Sequence, residues 1–507
     1  MPVTTVASIG ERSGPYLTDL PLEVVERICQ QLALEDRMAL ACCCRQLWTH
    51  PSMASSPAFW GNLRLAPRRL SHPGRLVAFL IRRRAGLRRV RLELGGSRES
   101  LTGALLALAG SAVVFLEVFA PRAPSSSIQV ALPLLQFLRC LRSLDLSSCR
   151  LQSLPAGVLP GHLVALNISR NRSLGVGQLA SLPLLAKLTA LTWLSLSDCG
   201  LEALPKQLVC MDSLTWLDIS HNYRLGEAAL ESSSPRFQPL QGLTALTSLH
   251  CRSNELVRLP ALFSALRALL HLDLSRNPLM GVNSAELHAV VHLSRLRSLS
   301  LSGCLLAALP QQLSALPALA ELDLSANPHL GAATAGSEHL LDQLLQLPTL
   351  TRLDMSSCSL RALPHQLGGL TLLADLGLRG NHGLGEQAGA LGQLQLEPLR
   401  QLSRLTRLDM GSCSFKEVPL QLSALAGSLA DLRLRGNELH AVDSLRRLAA
   451  LTCLTRLDVS ESCGLKVCPP RRSPLHLLPV PRLPMSNSWL AAKQVKPVPC
   501  HHVIAAN

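Results

Sequence analysis

Leucine recurs along residues 141–459 at fixed offsets, so that segment after segment reads L-x-x-L-x-apolar. Thirteen segments start this way, 22 to 32 residues apart. They start at Leu141, Leu163, Leu191, Leu214, Leu246, Leu269, Leu296, Leu319, Leu350, Leu373, Leu405, Leu429 and Leu454. Apolar residues two apart predict a short β-strand whose fourth and sixth positions face a core. Weaker segments from Leu87 and Val113 continue the period towards the N-terminus.

Eight places after the starting leucine, the residue is nearly always Asn or Cys. Asn stands there at 171, 222, 254, 277, 327, 381 and 437, and Cys at 149, 199, 304, 358 and 413, with Cys463 one residue late. This pattern, L-x-x-L-x-L-x-x-N/C-x-L, resembles the leucine-rich-repeat family. The resemblance implies an α/β solenoid with a parallel β-sheet on its concave side. It also implies that the Asn side chains satisfy backbone groups as a ladder, with Cys as the usual replacement.

The Cys and Asn segments alternate, and their C-terminal arms differ. Most Cys segments continue L-x-x-LP, whereas most Asn segments continue with Leu-Gly and a longer arm. The leucine spacing of the arm at 327–348 favours a helix. A pair of segments, about 50 to 55 residues, is therefore the true repeat. The alternation of Cys and Asn is similar to that of ribonuclease-inhibitor repeats, whereas the L-x-x-LP arms are similar to those of shorter repeat types. This mixture does not predict the curvature of the solenoid.

Residues 17–48, "LTDLPLEVVERICQQLALEDRMALACCCRQLW", resemble the F-box, the small α-helical module that docks a Skp1-type adaptor in cullin–RING ubiquitin ligases. The adaptor-binding positions implied by the resemblance are Leu20, Pro21, Val24, Ile28, Leu32 and Leu40. Three of them fall on one helical stripe. Arg37 and Leu47 depart from the family pattern, in places where Leu and Trp are usual. A second interpretation stays open, in which the N-terminal helices only cap the array.

A target protein would meet the outward positions of the strands, at offsets +2, +4, +6 and +7. The candidates for target binding are Trp193, Trp216, Asp218, Arg352, Arg379, Arg407 and Arg433. Outward aromatic residues are typical binding anchors; packing of the two tryptophans, on successive segments, against each other is the alternative. The arginines predict an acidic or phosphorylated peptide, with salt bridging to the interleaved aspartates as the alternative. Asp recurs at +4, and because the sequence LDLS is common in leucine-rich repeats, the resemblance implies that this column is mostly scaffold.

Charge and cysteine content change this picture little. The net charge of +15 comes from two flanks, 64–91 and 466–507, and the array between them is nearly neutral. The basic stretch 64–91 has one aromatic residue, Phe79, and no motif for groove reading, so nucleic acid is not the favoured partner. Without a signal segment, the 16 cysteines are expected to be reduced. We expect no membrane segment, since the most apolar run is only 14 residues, 103–116.

Catalytic and metal-binding motifs are lacking. The sequence contains no G-x-x-x-x-G-K-S/T, H-E-x-x-H or G-x-S-x-G motif, and its cysteines lack the paired spacing of a zinc site. We therefore expect a non-catalytic binding protein that holds neither cofactor nor metal.

The resemblances divide the chain into five parts. These are a disordered N-terminus at 1–16, an F-box-like helical module at 17–62, a basic linker with degenerate repeats at 63–140, the thirteen-unit array at 141–468 and a Pro-rich disordered tail at 469–507. They imply a target-recognition subunit of a ubiquitin ligase, bound to a Skp1-like adaptor and a cullin complex, in the cytoplasm or nucleus. A non-catalytic scaffold of the cytoskeleton or ciliary axoneme is the alternative.

Overall fold

The computed structural model describes eleven stretches of the chain. They are residues 62–65, 73–93, 98–120, 125–154, 159–175, 185–226, 235–280, 287–332, 338–386, 395–440 and 446–462. The six predicted adaptor-binding positions, from Leu20 to Leu40, and both predicted disordered ends lie outside these residues. The chain divides into two units, residues 1–224 with 235–246 and residues 225–234 with 247–507.

Parallel strands in chain order form the sheet of each unit. The strands of the first unit are β1 (Asn62–Leu65), β2 (Arg89–Glu93), β3 (Phe115–Phe119), β4 (Ser143–Asp145), β5 (Ala165–Asn167), β6 (Trp193–Ser195) and β7 (Trp216–Asp218). Those of the second unit are β8 (Ser248–His250), β9 (His271–Asp273), β10 (Ser298–Ser300), β11 (Glu321–Asp323), β12 (Arg352–Asp354), β13 (Asp375–Gly377), β14 (Arg407–Asp409), β15 (Asp431–Arg433) and β16 (Arg456–Asp458). Each strand is paired in register, position for position, with the strands next to it within its unit.

Short helices return the chain from one strand to the next. The α-helices are α1 (Pro73–Arg83), α2 (Arg98–Leu108), α3 (Ser125–Ala131), α4 (His329–Ala332) and α5 (Gly383–Glu386). The 3₁₀ helices are Leu132–Phe137, Leu185–Lys187, Lys206–Cys210, Tyr223–Leu225, Pro235–Gly242, Ala261–Ala265, Pro278–Met280, His288–His292, Gln311–Ala315, Glu338–Gln346, His365–Gly369, Glu397–Gln401, Leu420–Leu425 and Arg446–Ala450. In the arm at 327–348 the predicted helix is present, but mainly in the tighter 3₁₀ form.

The leucine pattern predicts which side chains form the core. All thirteen predicted segments contain a strand two to four residues after the starting leucine, and the segments from Leu87 and Val113 contain β2 and β3. In β4, for example, Leu144 and the following Leu146 are buried, while the alternate side chains lie on the other face. The predicted leucine-rich-repeat fold is confirmed. The leucine pattern does not predict strand β1, because Trp60 stands three residues before Leu63, where a repeat would have its starting leucine.

The Asn positions after the strands form a ladder of buried amides. Asn381, fully buried, accepts hydrogen bonds at Oδ1 from the backbone N–H groups of Cys358 and Leu360, both at 3.0 Å. Its Nδ2 donates to the carbonyl oxygens of Met355 at 2.9 Å and Leu378 at 2.7 Å. Each of these asparagines therefore joins its own repeat to the one before. The same set of bonds is made by Asn171, Asn222, Asn327 and Asn437.

The Cys positions continue the same ladder with a smaller side chain. The thiol of Cys358 donates to the carbonyl oxygen of Leu324, at 3.2 Å, in the preceding repeat. A cysteine suffices there because the N–H groups of its own turn are already bonded to Asn381. Four more cysteines make the equivalent bond to the preceding repeat, namely Cys149, Cys199, Cys304 and Cys413.

The Leu-Gly that follows many Asn positions has a steric cause. The N–H of Gly331 bonds to the carbonyl oxygen of Cys358 in the next repeat, at 2.9 Å. A β-carbon on Gly331 would collide with the backbone oxygen of Ser359. Only glycine permits this approach of two backbones. Gly175 and Gly385 show the same crowding against the following repeat.

Candidate partner-binding surface

The open sheet face consists of the outward side chains at offsets +2, +4 and +6 from the starting leucines. The in-register pairing of parallel strands brings residues of equal offset side by side, as in Trp193 beside Trp216 and Asp354 beside Gly377. The face is thus a set of columns, and a residue that departs from its column alters the surface locally.

The aspartates of the +4 column serve the fold. Asp354 accepts a hydrogen bond at Oδ1 from the backbone N–H of Ser356, at 2.8 Å, and so caps the turn after its strand. Asp218, predicted as a target-binding residue, makes the same cap and also accepts from the hydroxyl of Ser195 at 3.2 Å. Its carboxylate is therefore occupied within the repeat array. The cap recurs, at 2.8 to 3.0 Å, at Asp145, Asp273, Asp323, Asp409 and Asp458.

Trp193 and Trp216 stack directly on each other. Their ring centroids are 4.3 Å apart and their planes differ by 7°. Each side chain is half-buried, and both belong to the open face of the first unit. The two tryptophans therefore pack against each other, as the alternative interpretation expected. The stacked pair also forms a rigid apolar surface on the open face. A stack of two indoles is a preorganised platform for an apolar or aromatic group.

Most arginines at the open face of the second unit form ion pairs with carboxylates. Arg352 lies between Glu321, at 3.2 Å, and Asp375, at 3.3 Å. The other pairs are Arg407–Asp375 at 3.7 Å, Arg433–Asp409 at 3.7 Å, Arg433–Asp431 at 3.4 Å and Arg456–Asp431 at 3.5 Å. These arginines are about half exposed or more, so each pair contributes little to stability. Of the four predicted target-binding arginines, three are thus held by carboxylates.

Arg379 is the exception among those four. Its side chain is exposed, and within the described part of the chain it has no ion pair. It lies at the rim of a depression of about 460 Å³. The depression brings Arg379 together with Arg352 and Arg433 of the predicted set, alongside Ser356 and Gly377. Trp193, Trp216 and Asp218 belong to the other unit, and Arg407 does not line the depression.

A second depression, of about 390 Å³, contains a serine, a histidine and an aspartate in contact. The hydroxyl of Ser248 lies 3.1 Å from Nε2 of His250, whose Nδ1 is 3.8 Å from Asp273. Burial acts to raise the pKa of Asp273, but the nearby imidazole of His250 and the hydrogen bonds from Ser275 together outweigh it and lower that pKa. The serine is nearly buried and the imidazole–carboxylate distance exceeds that of a hydrogen bond, so the three residues do not form an assembled nucleophilic triad.

The basic stretch before the array is partly neutralised by its neighbours. Arg91 pairs with Glu93 and Glu117, both at 3.1 Å. Arg89 lies over the ring of Phe115 with its guanidinium carbon 5.6 Å from the centroid. Two of the arginines in 64–91 are thus engaged on the sheet, which weakens their use as phosphate contacts. Arg89 and Phe115 both stand two places after their repeat starts, Leu87 and Val113, so the register of the repeats brings the two side chains together.

The buried cysteines are protected thiols. Burial raises the pKa of Cys149, Cys199, Cys304, Cys358 and Cys413 to about 12. A thiol with such a pKa stays protonated at neutral pH and is a poor nucleophile and metal ligand. Over the residues that the structure describes, His, Cys, Asp and Glu form no cluster suited to a metal ion. The same residues include no helix with the length and apolar character needed to cross a membrane.

Family models match both the N-terminal module and the repeat pattern of the sequence. The F-box domain model matches residues 17–47, and the leucine-rich-repeat model matches residues 140–161. The chain thus contains an F-box domain followed by a leucine-rich repeat. All six predicted adaptor-binding positions fall inside the matched stretch 17–47. F-box and leucine-rich-repeat domains are typically non-catalytic binding modules, and no catalytic family is indicated.

A solved structure supports the repeat fold of this chain. A leucine-rich-repeat protein of Leptospira interrogans is similar with a TM-score of 0.52 and 21% identity, over 82% of this chain and 94% of that chain. An internalin of Listeria monocytogenes has a TM-score of 0.34 and 17% identity, over 65% of this chain and 80% of its own. TLR13, solved in complex with ssRNA13, has a TM-score of 0.43 and 19% identity, over 76% of this chain and 60% of its own. No curated protein matches the sequence.

Proposed function

We propose that this protein is the target-recognition subunit of a ubiquitin ligase of the Skp1–cullin–F-box type. F-box domains in general bind Skp1-type adaptors, and leucine-rich repeats in general bind proteins. The observation that carries the proposal is the F-box match at 17–47 ahead of a repeat array with an open sheet face. In this role the F-box holds the adaptor while the array holds a target, which raises the effective concentration of the target at the ligase.

The target side of the proposal rests on the open sheet face. The stacked Trp193 and Trp216 provide a rigid apolar anchor, and the arginines around Gly377 provide the charged part of the surface. A face of this kind favours an extended or folded protein segment over a small molecule, since its depressions are shallow and lined by polar groups. The role needs no catalytic residue in this chain, because the transfer chemistry belongs to other subunits.

The test is co-purification from cells. The tagged full-length chain is expected to bring down a Skp1-type adaptor and a cullin, identified by mass spectrometry. A variant with Leu20→Ala and Pro21→Ala is expected to lose both, while Trp193→Ala should keep both and lose the target. If wild type and the double variant recover equally little adaptor, the proposal fails and the predicted N-terminal helical module is better explained as a cap of the array.

A further inference from the structure

The +2 column of the first unit contains two small residues between two aromatic residues. In register from β3 to β6, the column consists of Phe115, Ser143, Ala165 and Trp193. Strands are spaced about 4.8 Å apart, so the two aromatic residues stand about 14 Å from each other along the sheet. Only a hydroxymethyl and a methyl group lie between them in this column. We call this space, with Phe115 and Trp193 as walls and Ser143 and Ala165 as floor, the +2 cleft.

The stacking of Trp193 on Trp216 fixes the orientation of one wall. The ring centroids are 4.3 Å apart, close to the spacing of adjacent strands, and the planes differ by 7°. The stack therefore follows the row of strands. One face of the Trp193 indole lies against Trp216, and the other is turned towards Ala165 on β5. A methyl group is too small to cover that face, and among the described residues no cationic group lies over it.

The other wall shows which group a ring of this sheet accepts. Arg89, the in-register neighbour of Phe115 on β2, has its guanidinium carbon 5.6 Å from the centroid of the Phe115 ring. Arg91 likewise lies over the ring of Phe119, at 5.8 Å, and pairs with the carboxylate of Glu117 at 3.1 Å. The sheet thus already binds guanidinium groups with a ring and a carboxylate together.

Asp145 supplies a carboxylate at the edge of the +2 cleft. It follows Ser143 by two places on β4, so it lies on the same face of the sheet. Its Oδ1 accepts a hydrogen bond from the backbone N–H of Ser147 at 2.8 Å, and its Oδ2 accepts one from the side-chain amide of Asn167 on β5 at 2.9 Å. Both donors are neutral, and within the described residues Asp145 has no ion pair. Each carboxylate oxygen has a second lone pair for a further donor.

The open face around the cleft is acidic. At offsets +2, +4 and +6 of strands β4 to β7, all of which the structure describes, the charged residues are Asp145 and Asp218. Arg142 stands before β4 and donates to the carbonyl oxygen of His162 at 3.1 Å, and Arg170 stands in the turn after β5. Neither lies at an outward strand position. A slot with aromatic walls and a negative edge fits a flat cation.

We propose that the +2 cleft binds an arginine side chain of a target segment. The guanidinium lies over Ala165, stacks on the uncovered face of Trp193 and donates to the carboxylate of Asp145. Arginine fits better than lysine, because its planar group stacks on a ring while its edge donates hydrogen bonds. An aromatic side chain would stack as well but would leave the charge of Asp145 without a partner. This inference rests on the proposed function, since it names the chemistry of the target that the array holds.

Three substitutions separate the parts of this account. Ala165→Leu fills the slot without a change of charge, and the fold should accept it because the same column holds tryptophan on the next two strands. Asp145→Asn removes the negative charge and retains an acceptor oxygen for the N–H of Ser147. Asp212→Asn, at an exposed aspartate outside the open face, is the matched control for the loss of one negative charge.

The probe is a fluorescein-labelled peptide, Gly-Arg-Gly-Arg-Gly, titrated into the full-length chain and followed by fluorescence anisotropy. Peptides with Lys, Gln or Phe in place of both arginines are the comparisons. The arginine peptide is expected to bind about threefold more tightly than the lysine peptide. Ala165→Leu and Asp145→Asn should each weaken its binding about tenfold, whereas Asp212→Asn should leave it unchanged.

Four results would overturn the proposal. Equal binding by wild type and Ala165→Leu would show that the slot is not used. An equal loss in Asp145→Asn and Asp212→Asn would show that the peptide responds to net charge alone. A glutamine peptide that binds as well as the arginine peptide would exclude recognition of the guanidinium. A phenylalanine peptide that binds as tightly would replace the cation by an aromatic occupant.

Hydroxyl-radical footprinting with mass spectrometry locates the contact. The arginine peptide should protect Trp193 and Phe115, while Tyr223, which is exposed and lies outside the open face, should be oxidised at its original rate. Protection of Tyr223 without protection of Trp193 would contradict the proposal. Adaptor binding is measured separately, and all three variants should retain it, so a failure here and a failure of the proposed function are distinguishable.

Discussion

Asn381→Ala should unfold the middle of the second unit more readily than any surface change. The amide of Asn381 is fully buried and takes part in four hydrogen bonds, with Cys358, Leu360, Met355 and Leu378, at 2.7 to 3.0 Å. Alanine removes both the acceptor and the donor. Two N–H groups and two carbonyl groups then lose their partner in a place closed to water.

The magnitude is set by those four groups. Each buried polar group left without a partner costs about 1 to 3 kcal/mol, so the loss of stability should be about 4 kcal/mol or more. This is a large part of the roughly 5 to 15 kcal/mol that is typical of a folded domain. Urea unfolding followed by circular dichroism should show a lower midpoint. Hydrogen exchange should locate the effect at the amides of Cys358 and Leu360.

Asn167→Ala is the matched control. Asn167 also makes two side-chain hydrogen bonds, with Ser169 at 3.0 Å and Asp145 at 2.9 Å, but it stands on the open sheet face within reach of water. Its loss should cost less than about 1 kcal/mol, because water replaces the partners. If Asn381→Ala proved as mild as Asn167→Ala, the ladder would not hold the repeats together and the reasoning would be refuted.

Four further predictions concern glycine, cysteine and tryptophan. Gly331→Ala should destabilise the chain by about 2 kcal/mol or more in urea unfolding, whereas Gly427→Ala, whose β-carbon meets no atom within 4 Å, should be near neutral. Native chain at pH 8 should react with a thiol reagent at the exposed Cys140, Cys210 and Cys453 but not at the five buried ladder cysteines. Folding raises the pKa of those five thiols to about 12, so their contribution to stability is complete below pH 9 and should be lost as the pH rises towards 12, which urea unfolding at rising pH would show. Trp193→Ala should abolish the exciton signal of the indole pair in circular dichroism and cost about 1 kcal/mol beyond the lost apolar area; an unchanged spectrum would show that the rings are not stacked.

The repeat period alone predicts most of the fold. A strand lies at each of the thirteen leucine starts because burial at alternate positions fixes both the strand and its register. A tight inward turn must satisfy its backbone groups, and the resemblance to leucine-rich repeats assigns that role to Asn381 and its replacement Cys358. The 3₁₀ form of Glu338–Gln346 is not predictable from the sequence, because leucine spacing does not distinguish a 3₁₀ helix from an α-helix over so few residues.

The surface was harder to predict than the core. The sequence places Trp193 beside Trp216 but cannot decide between an open anchor and a stack, because that depends on side-chain rotamers. It places the arginines on one face but not their ion pairs, which are set by distances across strands. The absence of a carboxylate at Gly377 is readable in the +4 column, and comparing columns rather than single motifs would have found it.

The most direct test of the central claim is the binding of purified full-length chain to a purified Skp1-type adaptor. The account predicts a stable one-to-one complex in gel filtration and calorimetry, lost when Leu20 and Pro21 are both changed to alanine and retained in Trp193→Ala. A wild-type chain that is folded, by its circular dichroism, yet forms no complex with the adaptor would contradict the proposed role in a ubiquitin ligase.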